Sequence, residues 1–594
     1  MRCFWSEEKR RNRVRVFVRK RVRENNTIEA PLLPARKRTT TMSRSLLSSS
    51  SSSSRCCSSS SSRIFSSKRR HHQQRHQRHL GKRRQRRVPR ARESTDDDDD
   101  NNDDEKEKEH ERNNKNNEDD DDVYSVCVLG AGPAGLTTAL AMQKMLSSPL
   151  DTTRKPTLSR LKITVLDKNP NALDGNVGGG FNINGGAAVL EKLGVYEEVF
   201  SKNANALRAV LSRRCDIDRT RLFEVDIEKE VRGDFLTNAK ELLVNEKSGE
   251  VMAGTVMRAD LSQSLRESLN EETCEVVLGC EVLGVDAESG EVELRRRDGT
   301  TTETRKFDLI VGADGIDSLA RKCVVESNAS SGDGSSSSGS GNSSRSGGSS
   351  TSGRKEPIYS GIKILFGVTG VDDKPEDLIR ELSDRTTAHQ WFGDGAYSLV
   401  FTGGGENKKR HNLAFCSNEP LGSANSNPSW RANSLVTKEY AHNKMMKANM
   451  PADVLRLCLR CERFFEIGVF FHEPLDSWSS SNGKVVLVGD AAHAMPPFLG
   501  QGANQAMQDA YVLAKCLATC GADIKNPSKV NEALQSYSNT RRPPTEAIMN
   551  ASRFVGALET GKGPVSLFRD LAFFVAGKFG ITGKIFLSGA TPRL

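Results

Sequence analysis

The sequence predicts an α/β fold of Rossmann-like type, a βαβ unit followed by mixed helices and strands, behind a tail over residues 1–122 that does not fold. Three observations predict it. A β-rich run, Val123–Leu129, leads through a glycine turn into an apolar helix over residues 136–146 and a second strand over 162–166, the order of a βαβ unit. Two later apolar strands, near 308–315 and 485–490, each end in a small-residue turn that carries a carboxylate. Before residue 123 the chain is charged, serine-rich and poor in apolar side chains, a composition that cannot bury enough surface to fold.

The tail accounts for the charge of the chain. Residues 1–92 hold 28 Lys and Arg against 4 Asp and Glu, a net of +24, and residues 93–122 hold 4 against 17, a net of −13. The whole chain is +10, so residues 123–594 are close to neutral. A basic face for nucleic acid is therefore not supported on the folded part. The tail has almost no aromatic side chains for base stacking, and no nucleic-acid partner is expected. Residues 43–67 contain 16 serines, and no acid occurs from Ala30 to Arg92. Arg-rich, Ser-rich and acid-poor is the composition of an organellar transit peptide, plastid or mitochondrial. A start at Met42 fits that pattern better than residues 1–29, which hold four acids. A low-complexity tail with no address, on a cytoplasmic chain, is the alternative. The acidic run 96–122 reads as a solvated spacer.

Thirteen cysteines are scattered. Cys458-x-x-Cys461 has no second pair to complete a zinc site, so ordinary buried thiols and no metal are expected. Apolar runs fall well short of the ~18 residues of a membrane span. Residues 571–576 form a short one, for which a helix packed on the main body is the simpler expectation. Peripheral membrane contact through Phe568, Leu571, Phe574 and Val575 is the alternative. Residues 327–354 are rich in Ser and Gly and read as a flexible insertion. A smaller surface insertion is expected near 147–160.

Gly130-Ala131-Gly132-Pro133-Ala134-Gly135 follows the first strand and opens the helix. In a Rossmann-like unit the first glycine permits the turn, the second admits a pyrophosphate and the third lets helix and strand approach, with the helix N-terminus facing the phosphates. Asp167 closes the second strand, where it can accept hydrogen bonds from a ribose. A further strand delivers Asp490 ahead of a glycine-rich loop and a helix over about 503–519, whose start can stabilise negative charge on a cofactor ring.

With these motifs the chain resembles the group A flavoprotein monooxygenases, the FAD-dependent aromatic hydroxylases. The resemblance rests on GAGPAG at 130–135, Met257-Arg258 before a helix, DLIVGADGIDSLAR at 308–321 and VVLVGDAAHAMPPFLGQGANQAMQDA at 485–510. It implies a discontinuous FAD domain within 123–550, an interleaved mixed-sheet substrate domain at about 190–260 and 357–474, and a C-terminal helical region over 551–594. It also implies roles. Gly130, Gly132, Ala134 and Gly135 take the ADP pyrophosphate, and Asp167 with Lys168 the adenosine ribose. Arg258 lies near the phosphates. Asp314 lies near the pyrophosphate and the NAD(P)H approach. Gly489 and Asp490 meet the ribityl chain, and Gly500, Gly502, Ala503 and Asn504 face the isoalloxazine ring, with the glycine-rich segment 178–186 bordering it. In that family NAD(P)H reduces FAD, O2 adds, and a flavin hydroperoxide transfers one oxygen to a small organic ring substrate. Isoprenoid or carotenoid epoxidation and simple flavin reduction are the alternatives. No catalytic side chain is identified. His493 reads as loop-shaping rather than acid/base, Arg541-Arg542 as solvated charges at a helix end rather than a substrate clamp, and Trp391, Phe392, Tyr397 and Phe401 could line an apolar pocket, although aromatic residues at strand spacing are more often core.

Overall fold

The structure is a computed structural model, and it describes residues 123–147, 160–174, 178–216, 218–234, 237–296, 299, 301–331, 356–371, 384–405, 409–420 and 434–594. The expected transit peptide, the acidic spacer, residues 148–159 and residues 332–354 lie outside the described residues.

A five-stranded parallel sheet carries the glycine turn. Its spatial order is Val485–Leu487, Leu309–Gly312, Val123–Leu129, Arg160–Asp167 and Cys274–Leu278. Strands covered on both faces read as continuous apolar runs, and Val126, Cys127 and Val128 are fully buried. The helix starts earlier than expected, at Pro133, and runs to Met142 before a wider π turn over Gln143–Ser147. Proline suits a first helical turn because its missing N–H has no intrahelical partner there. The second strand is longer than its apolar stretch, since Val123 already pairs with Arg160.

The second sheet has eight strands, ordered Ser434–Val436, Cys461–Phe471, Ile358–Thr369, Arg410–Asn418, Ala396–Gly403, Thr387–Phe392, Ala209–Arg214 and Arg221–Asp226. Its pairs are antiparallel except Thr387–Phe392 on Ala209–Arg214. Alternation along each strand divides its apolar side chains between two faces. Leu365, Trp391, Leu413 and Phe464 pack in one cluster with Ala441, Met445, Val454 and Leu457, which lie on the helices Lys438–Lys447 and Ala452–Arg460. Ile362, Ile364, Phe392, Tyr397 and Val469 form another. Trp391, Phe392, Tyr397 and Phe401 are therefore core residues, each buried among neighbours. This is the commoner outcome expected for aromatic residues at strand spacing, and the alternative of a pocket lining is set aside.

Three further expectations change. Residues 327–331 belong to the helix Leu319–Ser331 and are not insertion. Asn328 Nδ2 ties that turn to Ser479 O at 3.0 Å. The boundary expected at 550 falls inside a 33-residue helix, Pro527–Glu559. Half of the glycine-rich segment is a strand, Gly180–Ile183, paired with Gly254–Met257. Cys458 and Cys461 are buried thiols in no disulfide among the described residues, with Cys461 Sγ 3.6 Å from Leu457 O.

The long helix ends at Glu559, whose buried carboxyl is hydrogen-bonded to Tyr397. Burial pushes it up to about 8, against the lowering effects of Tyr397 and Arg569. An unfolded glutamate ionises near ~4.3. Between these values the folded chain keeps a proton that the unfolded chain has lost, so stability falls as pH rises through that window and levels off above it. Glu559→Gln removes this slope. Thermal melts from pH 5 to 9 should show the variant gaining on the wild type as pH rises. A constant difference across that range would disprove the assignment.

Candidate functional site

The site begins at the mouth of the first strand. Gly130 has φ +106°, and a Cβ there would sit 2.4 Å from Ala313 O, so no other residue fits the turn. A Cβ on Gly135 would lie 1.9 Å from Gly130 O, which is why helix and strand need a glycine at their crossing. Gly132 differs: the atom nearest a Cβ there is Arg258 Nη2, at 3.5 Å. The Arg258 guanidinium therefore stands over the N-terminus of the helix Pro133–Met142. That side chain is exposed and has no hydrogen-bond partner among the described residues. Asp167, on the neighbouring strand, accepts from Ala131 N at 2.9 Å and Asn169 N at 2.8 Å. It braces the turn while its edge remains half-exposed, with Lys168 exposed beyond it.

The second half is built around a buried carboxylate. Asp509 accepts from Gly489 N at 3.0 Å, His493 Nε2 at 2.5 Å and Arg541 Nε at 2.8 Å. Burial alone would raise this carboxyl, but the charges of His493 and Arg541 outweigh it and hold it below the usual range. His493 is thus a loop-shaping residue, held by its hydrogen bond to Asp509. Arg541 is corrected: it is fully buried in mid-helix, and its Nη1 also donates to Arg593 O at 2.8 Å. The preceding Gly489 has φ +59°, with Ala506 Cβ and Ala134 Cβ 3.0 and 3.2 Å from where a Cβ would be.

Between Gly489 and His493, Asp490 points into a cleft. Its side chain is exposed to that cleft although protein encloses it on all other sides, and it has no hydrogen-bond partner among the described residues. Enclosure raises its carboxyl above the ordinary value, while the charges of His493 and Arg258 pull it down. Gly502 opens the helix Gly502–Ala518 beside it, with a Cβ position 3.9 Å from Asp490 Oδ1. Ala503 is half-exposed on the same turn. Asn504 is fully buried. Its Oδ1 accepts from Asn184 N and Gly186 N at 2.8 and 3.0 Å, and its Nδ2 donates to Asn182 O and Gly500 O, both at 3.1 Å. The Asn504 side chain thus fastens the glycine-rich segment to the loop.

Asp314 stands beside Gly130, but its carboxylate caps a helix. It accepts from Ser318 Oγ at 2.5 Å and Leu319 N at 2.7 Å. Burial raises it against those bonds. Three residues beyond Ser318 is Arg321, which the sequence reading passed over. Buried, with its guanidinium pushed down to about 10 by burial, it donates to Ala491 O, Ala492 O and Glu473 O at 3.1, 2.7 and 2.8 Å. It holds the Asp490 turn from behind. The spacing Asp314, Ser318, Arg321 was the available signal.

A cavity of about 210 Å³ lies where the two sheets meet. Ile364, Ile467, Val469 and Phe470 of the eight-stranded sheet form one wall, and Asp490, Met495 and Pro497 the other. An engineered cavity of ~150 Å³ holds a benzene ring, so this one has room for a substituted ring. The set suits a dinucleotide with a ring at one end. An unpartnered guanidinium over a helix N-terminus matches a diphosphate, and an unpartnered carboxylate in the cleft matches sugar-type hydroxyls.

A family profile described as "FAD binding domain" matches residues 123–342 and 476–552, half of the chain. The chain is 28% identical over 315 residues to a salicylate hydroxylase of Pseudomonas putida, covering 52% of this chain and 64% of that one. It therefore spans just under two thirds of that relative. It is 26% identical over 474 residues to a 3-amino-4-hydroxybenzoate 2-monooxygenase of Streptomyces platensis, covering 79% and 96% of the two chains. In fold it is similar to Klebsiella pneumoniae HpxO complexed with FAD and uric acid, with TM-score 0.55, 16% identity, and 78% and 97% of the chains covered. A salicylate hydroxylase substrate complex superposes with TM-score 0.53 at 18% identity, over 80% and 100%.

Two substitutions test the site. Arg541→Met leaves Asp509 buried with one cation fewer and should cost ~3–5 kcal/mol in denaturant unfolding; a loss below ~1 kcal/mol would show the pair to be dispensable. Asp490→Ala should weaken FAD binding about tenfold or more, the loss of a hydrogen bond to a charged group worth ~1.5–3 kcal/mol, with little change in the apoprotein's melting temperature. Unchanged affinity in a fluorescence titration would remove Asp490 from the site.

Proposed function

This chain belongs to the FAD-binding family of aromatic-hydroxylase-type monooxygenases, and from that premise we propose that it uses NAD(P)H and O2 to hydroxylate an aromatic or related ring compound. The observation that carries the reading is the apolar cavity at the junction of the two sheets, one wall of which bears Asp490. Bound FAD supplies the electron transfer and oxygen activation that no side chain of this chain provides.

The family resemblance and the geometry together support the following tasks. Arg258 and the helix N-terminus at Gly132–Pro133 would hold the diphosphate, Asp167 the adenosine ribose and Asp490 the hydroxyls of the ribityl chain. Lys168 adds a positive charge at the ribose end. The first turn of the helix Gly502–Ala518, with Ala503 and the Gly500 turn, places peptide N–H groups where negative charge on the cofactor ring needs stabilising. Ile364, Ile467, Val469 and Phe470 orient the substrate ring and exclude water, which protects reactive oxygen chemistry from wasteful breakdown. Arg321 and Asp509 act through the loop they hold, as positioning residues.

The 28% identity to a salicylate hydroxylase and the 26% identity to a 3-amino-4-hydroxybenzoate 2-monooxygenase support a phenolic carboxylate as the first substrate to try. The test is NAD(P)H oxidation by the FAD-loaded chain against a panel of hydroxybenzoates under isotopically labelled O2. An active compound should accelerate oxidation, suppress peroxide release and gain one labelled oxygen atom. Accelerated oxidation with no label in any product would replace hydroxylation by flavin reduction.

A further inference from the structure

The helix Pro564–Lys578 inverts the usual surface pattern. A surface helix ordinarily turns its apolar stripe inward and its polar stripe to water. Here the inward positions at helical spacing are Ser566, Arg569, Phe573 and Gly577. Ser566 and Arg569 are buried. Arg569 donates from Nη1 to Gly393 O at 2.9 Å and Glu559 O at 3.0 Å, and it lies over the Phe392 ring at 5.1 Å. Phe573 packs edge-on against Phe223 and Phe392 at 5.5 and 5.3 Å, and a Cβ on Gly577 would meet Phe223 Cβ at 2.5 Å. The helix is therefore held on a mixed inner face, by the Arg569 bonds at one end and by Phe573 and Gly577 against Phe223 at the other. Its outward stripe is apolar: Leu567, Phe568 and Leu571 are 63–65% exposed and Phe574 48%, and the stripe continues to Phe579 and Ile585 beyond the helix end. Contiguous apolar surface of this kind marks an interaction site.

Charge and length say what covers it. From Thr560 to Leu594 the exposed charged side chains are Lys562, Lys578, Lys584 and Arg593, all basic. The acid in this stretch, Asp570, is turned inward, paired with Arg569 at 2.7 Å and Arg214 at 3.1 Å. Within this segment the exposed charges beside the apolar stripe are all positive, which complements an anionic lipid surface, while the acids Glu224 and Asp226 are exposed on the neighbouring strand Arg221–Asp226. A second copy of this chain would bring the same cations against themselves. Fifteen residues at ~1.5 Å each reach ~22 Å, short of the ~30 Å of a bilayer core. The chain then bends by 85° into Ile581–Ala590, whose Leu587 and Ala590 return to the core. The pair can lie in a membrane surface but cannot cross it as a straight span.

We infer that the outward face of Pro564–Lys578, with Phe579 and Ile585, docks the protein on an anionic bilayer, the apolar side chains at the headgroup–acyl boundary and the lysines at the phosphates. The test uses the full chain and phosphatidylcholine vesicles with and without phosphatidylserine. The wild type should sediment with the anionic vesicles, and its peptides over 564–590 should gain protection from hydrogen exchange there. The double variant Phe568→Ser, Leu571→Ser should bind at least about tenfold more weakly, with an unchanged melting temperature because both side chains already face water. The basic tail is common to both chains, so the difference between them reads the helix alone. Equal vesicle binding by both chains, absence of protection over 564–590, or a wild-type dimer that the double variant abolishes would each overturn the inference.

Discussion

The site depends on one buried carboxylate. Asp509 joins the turn after Val485–Leu487, the helix Gly502–Ala518 on which it sits, and the long helix Pro527–Glu559 that supplies Arg541. A carboxylate in a water-free interior is costly unless its lone pairs are filled, and Gly489 N, His493 Nε2 and Arg541 Nε fill them. The consequence lies next door. With Gly489 and His493 both held by Asp509, the residue after Gly489 has no inward partner left to take and must face the cleft. That residue is Asp490. Arg321 secures the other side of the same turn through the carbonyl oxygens of Ala491 and Ala492, and ties it to Glu473 O.

The cleft thus presents a carboxylate and a guanidinium with unfilled bonding capacity at its two ends. Asp490 stands beside the cavity and Arg258 over the glycine turn, and the peptide dipoles of two helix N-termini point between them. A dinucleotide carries hydroxyls and a diphosphate in that order, with an apolar ring at one end. The eight-stranded sheet contributes hydrophobic walls and few polar groups to the cavity, which suits a protein that leaves the oxidative chemistry to its cofactor.

Where the backbone needs a particular residue type, the sequence was readable. Gly130, Gly489 and the apolar strands before them are dictated by positive φ, close approach and two-sided burial, and such demands appear directly as glycines and runs of valine. The pocket was not readable for a related reason. Trp391, Phe392 and Tyr397 alternate along strands whose two faces are both apolar, so a period of two cannot say which face meets the cavity. The wall comes instead from Ile467, Val469 and Phe470 of a strand whose composition resembles its neighbours. Arg541 was misread because an arginine's burial depends on its partner, and Asp509 lies 32 residues away in sequence. The helix Pro564–Lys578 looked like one packed apolar-side-in. Its inner face mixes the buried Arg569, bonded to Gly393 O and Glu559 O, with Phe573, and a period of 3.6 does not reveal an arginine on that face.

The most direct measurement of the central claim is a crystal structure of the FAD-loaded chain, read at Asp490. The account predicts its carboxylate within hydrogen-bond distance of a hydroxyl of the bound FAD, Arg258 at the diphosphate, and the Gly489, His493 and Arg541 bonds to Asp509 unchanged. A cofactor seated away from this cleft, or Asp490 turned back onto protein groups with FAD bound, would contradict it.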